Sequence, residues 1–434
     1  MTICRWMFLF TLAPLAALGC TPESDSPGTG GSTSSGTTTG STTTGGTTGT
    51  HPNWAEDVAP ILVKNCATCH HSGGIAPFGL LTYEDASTVA GSMKLATTAR
   101  TMPPFNPDNT GDCQTYSDAR WLDEVEIATI AAWSDAGAPQ GDPALAPPPF
   151  IAPPGLVDKN ITLDVGTTFT PDKTLADEYR CFIVDPELAK DQYLTDYEMK
   201  PGDKREVHHV ILFALDTDAA DQAAADLDAA DPKDGYLCYG SPGVAQSRFV
   251  VGWAPGAGAS HYPAGTGIKL TAGHKLVMQI HYNMANGAFP DRTTLDLDLA
   301  LTDTVEKEAT ITRVAAKNIM LPPGMPLATA TGQLKIPALA GDLMVWGVAP
   351  HMHTRDKAME VTLDSGGAKS CVTRVQDWNF HWQGFATYAK PVAMKGGDIL
   401  TIDCAYDTTK ETMTVTSGES TTDEMCINFL YVTK

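Results

Sequence analysis

The chain has 434 residues, 42% of them hydrophobic and 18% charged, and a formal net charge of -22. This is the composition of a soluble globular protein, long enough for roughly two to four domains. Its acidity argues against nucleic acid and anionic membrane surfaces as partners, since both would repel it.

At the start, Arg5 precedes an apolar run from Trp6 to Leu18 that closes on Ala17-Leu18-Gly19-Cys20. The pattern predicts a lipoprotein signal peptide over 1–20, cleaved before Cys20, with that cysteine carrying a lipid anchor to the membrane. An ordinary secretory signal is the alternative. Either way the chain is exported, and the lipoprotein reading makes it periplasmic or bound to the outer membrane or cell surface. Residues 21–52 are dominated by Thr, Gly and Ser. Such a segment buries too little to offset its ordering entropy, which predicts a flexible tether.

A small all-α cytochrome c-like domain is predicted over 53–143. Cys66-Ala67-Thr68-Cys69-His70 has the CxxCH spacing. In that pattern two thiols attach a haem c covalently and the next histidine becomes its proximal ligand. A structural zinc or redox cysteine pair is the rival reading. Asn53 caps a predicted helix through Trp54, Val58, Ile61 and Leu62, with Pro60 breaking its pattern. Asp123 and Glu126 form a capping-box pair before Ile127, Ile130 and Trp133, and Gly137 ends that helix. Met102, in Thr101-Met102-Pro103-Pro104, is the candidate sixth ligand, its loop stiffened by prolines. His71 reads as a surface residue. The proline-rich stretch 141–154 marks a boundary.

Beyond residue 155 the chain changes to short β-branched and aromatic runs between Gly, Pro and Asp turns. Val207 to Leu215, Leu276 to Tyr282, Leu343 to Ala349 and Met425 to Val432 are examples. The fold class is therefore mainly β, read as two consecutive jelly-roll-like β-sandwich domains over 155–303 and 304–434.

His351 and His353 stand two apart, so on a strand both rings leave the same face while Met352 points elsewhere. A methionine from a distant strand, Met425, completes a set of two nitrogens and a thioether that favours Cu(I) and leaves a position open for dioxygen. His208 and His209 are adjacent, so they share a metal only where the strand bends, bulges or ends. His281 is the expected third imidazole of that second copper site. A buried hydrogen-bonded pair is the bland alternative, and His261, His274 and His381 are placed in that bland class.

Of ten cysteines, Cys4 falls in the signal segment, Cys20 is the candidate lipid site, and Cys66 and Cys69 belong to CxxCH. Cys113, Cys181, Cys238, Cys371, Cys404 and Cys426 remain, allowing up to three disulfides in an exported protein. Cys404 with Cys426 is the preferred pair, since it would brace Met425. The partner of Cys113 stays open.

Glu206-Val207-His208-His209-Val210, Trp253-Ala254-Pro255-Gly256, Gln279-Ile280-His281-Tyr282-Asn283, His351-Met352-His353-Thr354 and Asp423-Glu424-Met425-Cys426 occur in this order. In this the chain resembles the copper type II, ascorbate-dependent monooxygenases, the relatives of peptidylglycine α-hydroxylating and dopamine β-monooxygenase, over about residues 155 to 434. The resemblance implies a two-domain β-sandwich catalytic core with two copper ions. His208, His209 and His281 would hold the electron-storing copper, and His351, His353 and Met425 the oxygen-binding one. It further implies C–H hydroxylation of a small-molecule substrate with O2 and an external, ascorbate-like reductant; the fused CxxCH domain adds the expectation that a periplasmic electron donor feeds electrons through the haem, partly replacing ascorbate. The alternative is a non-catalytic copper-binding or electron-transfer surface lipoprotein. The peptidylglycine enzymes grip a peptide carboxylate with an arginine, an asparagine and a tyrosine where this chain has Ala349, Ile427 and Phe429. Glycine-ending peptides are thus poor candidate substrates. Asp356 replaces a usual glycine without a sequence-level explanation.

Overall fold

The computed structural model describes residues 51–434 except 73, 75, 152–154, 256 and 302. The predicted signal peptide and Cys20 lie outside the described residues, as does nearly all of the tether. No helix among the described residues is long and apolar enough to cross a membrane.

The first described layer is helical. Asn53 accepts from the Glu56 amide and starts a helical turn at Trp54–Val58 that continues as Ala59–Asn65. Pro60 is accommodated because it falls in the first turn of that second helix, where its missing N–H has no intrahelical partner to lose. Tyr83–Thr88, Ala90–Thr98 and Glu124–Asp135 follow, the last with the full Asp123/Glu126 capping box. Val58, Leu62, Leu80, Ile130 and Trp133 make a core of their own.

Two β-sandwiches follow, built on period-two burial. In the strand Val207–Leu215, Val210, Leu212 and Ala214 enter the sandwich core. On the opposite face Leu215 packs with Ala220 and Ala224 of the helix Asp218–Ala230. The first sandwich has a five-stranded sheet ordered Tyr236–Leu237, Asp177–Val184, Leu276–Asn283, Val207–Leu215, Ser247–Trp253. The second has a four-stranded sheet ordered Ala328–Lys335, Ile399–Tyr406, Asp356–Ser365, Ala368–Val375.

The opposing layers of the two sandwiches are not separate. They form one nine-stranded sheet, joined where Thr266–Leu270 pairs in parallel with Lys307–Ala315. Two consecutive sandwiches were expected from pattern alone; a shared layer depends on main-chain pairing between edges, which side-chain periodicity does not report.

The long connection between the last two helices of the helical layer leaves that layer and joins the second sandwich. Tyr116 is buried in the second core and stacks on Tyr388 at 5.2 Å. Cys113 is bonded to Cys371. Cys181–Cys238 and Cys404–Cys426 are the other two disulfides among the described residues, and three such bonds place folding in an oxidising compartment.

Candidate metal centre

The strand carrying His208 and His209 slips register against Leu276–Asn283. Val207 faces Tyr282 and His209 faces His281, which leaves His208 as the extra residue of a bulge. That irregularity turns both neighbouring rings toward His281. His208 Nδ1 lies 3.4 Å and His281 Nδ1 3.2 Å from His209 Nδ1. Nitrogens about 2.0–2.1 Å from one tetrahedral ion would stand roughly 3.3 Å apart, so the spacing fits a shared cation. The far nitrogen of His281, Nε2, donates to Asp177 Oδ1 at 2.8 Å, which leaves Nδ1 bare for a metal. Tyr179 lies flat on the same ring, 4.1 Å between centroids.

In the second sandwich, His351 sits near the end of Asp342–Met352 and His353 just beyond it, with the rings 5.4 Å apart. His351 pairs in register with Ile427, and Met352 with Cys426, which sets Met425 beside the His-x-His segment. Met352 itself is buried in the core. His351 Nδ1 donates to Gln383 Oε1, and His353 Nδ1 donates to the Asp423 carbonyl at 3.1 Å. Both rings therefore present Nε2. Burial holds all five imidazoles neutral, the form that binds metal. It pushes His208 and His351 down to about 3 and His353 to about 4, with His209 and His281 also lowered.

The two sets adjoin. The rings of His209 and His351 are 6.4 Å apart, and both line one cavity of about 150 Å³ between the sandwiches, together with His353 and Met425. Asp177 ties the halves by accepting from Thr421 Oγ1 at 3.0 Å, and Tyr179 by donating to the Glu419 carbonyl at 2.7 Å. Ala349, Ile427 and Phe429 all line this cavity, and Phe429 stacks on Phe249 of the first sandwich at 4.9 Å. Its charged lining residues are Arg313 and Glu419. Trp253 of the Trp-Ala-Pro-Gly motif lines it too.

Both sandwiches match the models of one known family. The N-terminal domain model of the copper type II ascorbate-dependent monooxygenases matches residues 166–288, and their C-terminal domain model matches 308–433, together more than half of the chain. The chain belongs to the copper type II ascorbate-dependent monooxygenase family. Tyramine beta-hydroxylase of Caenorhabditis briggsae is 23% identical over 253 residues, 53% of this chain and 40% of that protein. Dopamine beta-hydroxylase of Rattus norvegicus is 25% identical over 199 residues, 42% and 32% respectively. DBH-like monooxygenase protein 1 of Gallus gallus is 25% identical over 247 residues, 52% and 38%. The chain thus spans well under two thirds of the length of each of these relatives.

The remaining candidates fall elsewhere. His261 and His274 pair with Asp196 and Asp221. His381 is exposed in the turn Phe380–Trp382. Cys66 and Cys69 are unpaired thiols, and burial pushes Cys66 up to about 12. His70 Nδ1 donates to the Phe78 carbonyl at 3.0 Å, and Nε2 stays outside that bond. His71 Nδ1 donates to the Ala67 carbonyl at 2.8 Å. Met102 is 39% exposed and lines a small cavity with Thr97, Arg100, Trp121 and Leu122. That cavity includes neither CxxCH thiol nor His70.

Asp356 also finds a place. Its carboxyl is buried, with neither oxygen in a conventional hydrogen bond. Burial and the neighbouring Glu424 push it well above the usual carboxylate range, so it is the neutral acid of that pair. Glu424 accepts from the backbone amides of His353 and Arg355, at 3.3 and 2.9 Å, and so shapes the turn after His353. Sequence reasoning missed Asp177, Tyr179, Phe380 and Gln383. None belongs to a motif containing a ligand, and only the fold brings them to the histidines.

Proposed function

We propose that the protein is a copper-dependent monooxygenase that hydroxylates a C–H bond of a small molecule with dioxygen and two electrons from an external reductant. The observation that carries this reading is that two sets of neutral imidazoles adjoin, His208, His209 and His281 on one family-matched sandwich and His351 and His353 on the other, with His209, His351, His353 and Met425 lining one cavity between them. His208, His209 and His281 would hold one copper, and His351, His353 and Met425 the other. Bound there, copper supplies one-electron redox chemistry and activation of dioxygen.

The chain's own residues then divide the remaining work. Asp177, Gln383 and the Asp423 carbonyl hold three imidazole tautomers. The Phe249–Phe429 pair and Ile427 exclude water from the substrate side and offer no partner to a carboxylate. A cavity of this size holds about one benzene-sized ring, which supports a compact, largely apolar substrate.

Cys66, Cys69 and His70 would hold a haem c, with Met102 the candidate on its other side, and the group would carry one electron at a time. The unpaired thiols and the anchored Nδ1 of His70 support the thiol-and-imidazole half of this set. Electrons would come from ascorbate or from a periplasmic donor through the haem. Cys20 would anchor the exported protein to a membrane by lipid.

The test is oxygen uptake and 18O incorporation by the copper-loaded protein with ascorbate and single-ring hydrocarbons. Met425→Ala is expected to abolish product while the copper of the three histidines stays bound. Equal loss of both coppers would contradict two separate sites. Tight copper binding with no substrate-dependent oxygen uptake would leave a copper-binding module instead.

A further inference from the structure

Ten residues, 376–385, connect the strands Ala368–Val375 and Ala386–Lys395 without pairing in any sheet. This strap nevertheless reaches three of the five histidines. Phe380 stacks on His208, 4.8 Å between centroids and 19° between planes. Gln383 Oε1 accepts from His351 Nδ1, and Trp378 Nε1 donates to the His353 carbonyl at 2.9 Å. Segments without ladder bonds take their shape from side-chain contacts.

Among the described residues, the hydrogen bonds that reach this strap's main chain from outside its own sandwich come from Asn106. Its Oδ1 accepts from the Asn379 amide at 3.0 Å, and its Nδ2 donates to the carbonyls of Asn379 and Trp382 at 3.1 and 3.2 Å. The side chain is buried, and it spends both amide donors and its acceptor on main-chain groups of the strap. No other residue of similar size supplies two donors and an acceptor. Asn106 is itself fixed. The Asp108 amide donates to the Arg374 carbonyl at 2.8 Å, Gln376 donates to Asp108 Oδ2 at 3.0 Å, and Cys113–Cys371 closes the segment covalently. In the sequence it lies between the helices Ala90–Thr98 and Glu124–Asp135, so the anchor belongs to the helical layer's own connection.

We propose that Asn106 is a positioning residue, through which the helical region sets the orientation of the His208 and His351 rings by way of the strap. The part of this that concerns copper rests on the reading of these histidines as ligands. The part that concerns ring orientation does not.

The experiment compares the full-length protein with N106A and N106D. In metal-free protein, hydrogen exchange of amides 378–383 and the ring NMR shifts of His208 and His351 are measured. In copper-loaded protein, copper content and the Cu(II) EPR spectrum are measured. N106A is expected to raise strap exchange at least about tenfold, to shift both rings, and to retain two coppers with altered EPR parameters, the affinity falling about tenfold or more. N106D keeps the acceptor but turns an oxygen toward two carbonyls, so it should resemble N106A rather than wild type. A folded N106A with unchanged exchange, or with faster exchange but unmoved rings and EPR, overturns the proposal. Should N106A fail to fold, N106D decides: strap exchange and both rings unchanged from wild type overturn it, and faster exchange with both rings shifted upholds it. Wild-type protein that binds no copper would sink the metal reading alone, and the metal-free measurements would still judge Asn106.

Discussion

Asp177 offers the sharpest test of how the first histidine set is held. His281 is 1% exposed and donates Nε2–H to Asp177 Oδ1 at 2.8 Å. Without that acceptor, the buried N–H would be left unpaired at a cost of about 1–3 kcal/mol. The ring would then be free to take the other tautomer, which puts a proton where the metal should bind. Loss of such a partner typically weakens metal binding about 10–100-fold, or about 1.4–2.7 kcal/mol, in line with that cost. Asp177→Asn keeps an oxygen acceptor but removes the charge, and is expected near the low end; Asp177→Ala removes both, and is expected near the high end. The assay is copper titration against a chromophoric chelator, with EPR to tell which set has lost its ion. A pH effect is also expected. Burial alone would raise Asp177, but its bonds from His281 and Asn283 outweigh burial and hold it below the usual carboxylate value. Its stabilising contribution is therefore present above that usual value and is lost as pH falls through the lower folded value. Unchanged affinity in Asp177→Ala, or a loss shared equally by the Met425 set, would refute this account.

Replacing Cys404 and Cys426 together by serine removes a crosslink spanning 22 residues. Stability should fall by about 3 kcal/mol in thermal or denaturant unfolding, with weaker copper binding at the Met425 set. Asp296 is buried, which by itself would raise it, yet bonds from Lys159, Lys200 and Thr162 bring it down to about 2. The interval from a usual value near 4 is worth at most about 2.5 kcal/mol, and the exposure of both lysines reduces that to about 1 kcal/mol. Asp296→Asn should therefore cost about 1 kcal/mol at pH 7, and the difference from wild type should vanish as pH falls through about 2. Cys66→Ser with Cys69→Ser should abolish haem that survives denaturing electrophoresis, and Met102→Ala should change the haem spectrum. An unchanged spectrum would remove Met102 as a ligand.

Local pattern carried much of the architecture. Period-two runs announced the strands, and Asp123 with Glu126 announced a helix start, because each is set by residues within a few positions of one another. The same kind of reasoning showed that His208 and His209 need a break in their strand, and the register slip at His208 supplies it. Cys404 with Cys426 was legible because Cys426 adjoins Met425 and a bridge to Cys404 would brace that thioether.

Other features depend on partners far apart in the sequence. Asp177 meets His281 only because two strands pair in one particular register, and Cys113 finds Cys371 only because a helical-layer connection crosses to the second sandwich. The nearness of His209 to His351, the merging of two sandwiches through one parallel strand pair, and the hold of Asn106 on the strap also arise there. Residue type and short-range spacing determine which side chains are able to bind a metal or begin an element. Which of them meet is decided by chain registry and packing, whose energies are spread over many contacts and leave no signature at any one position.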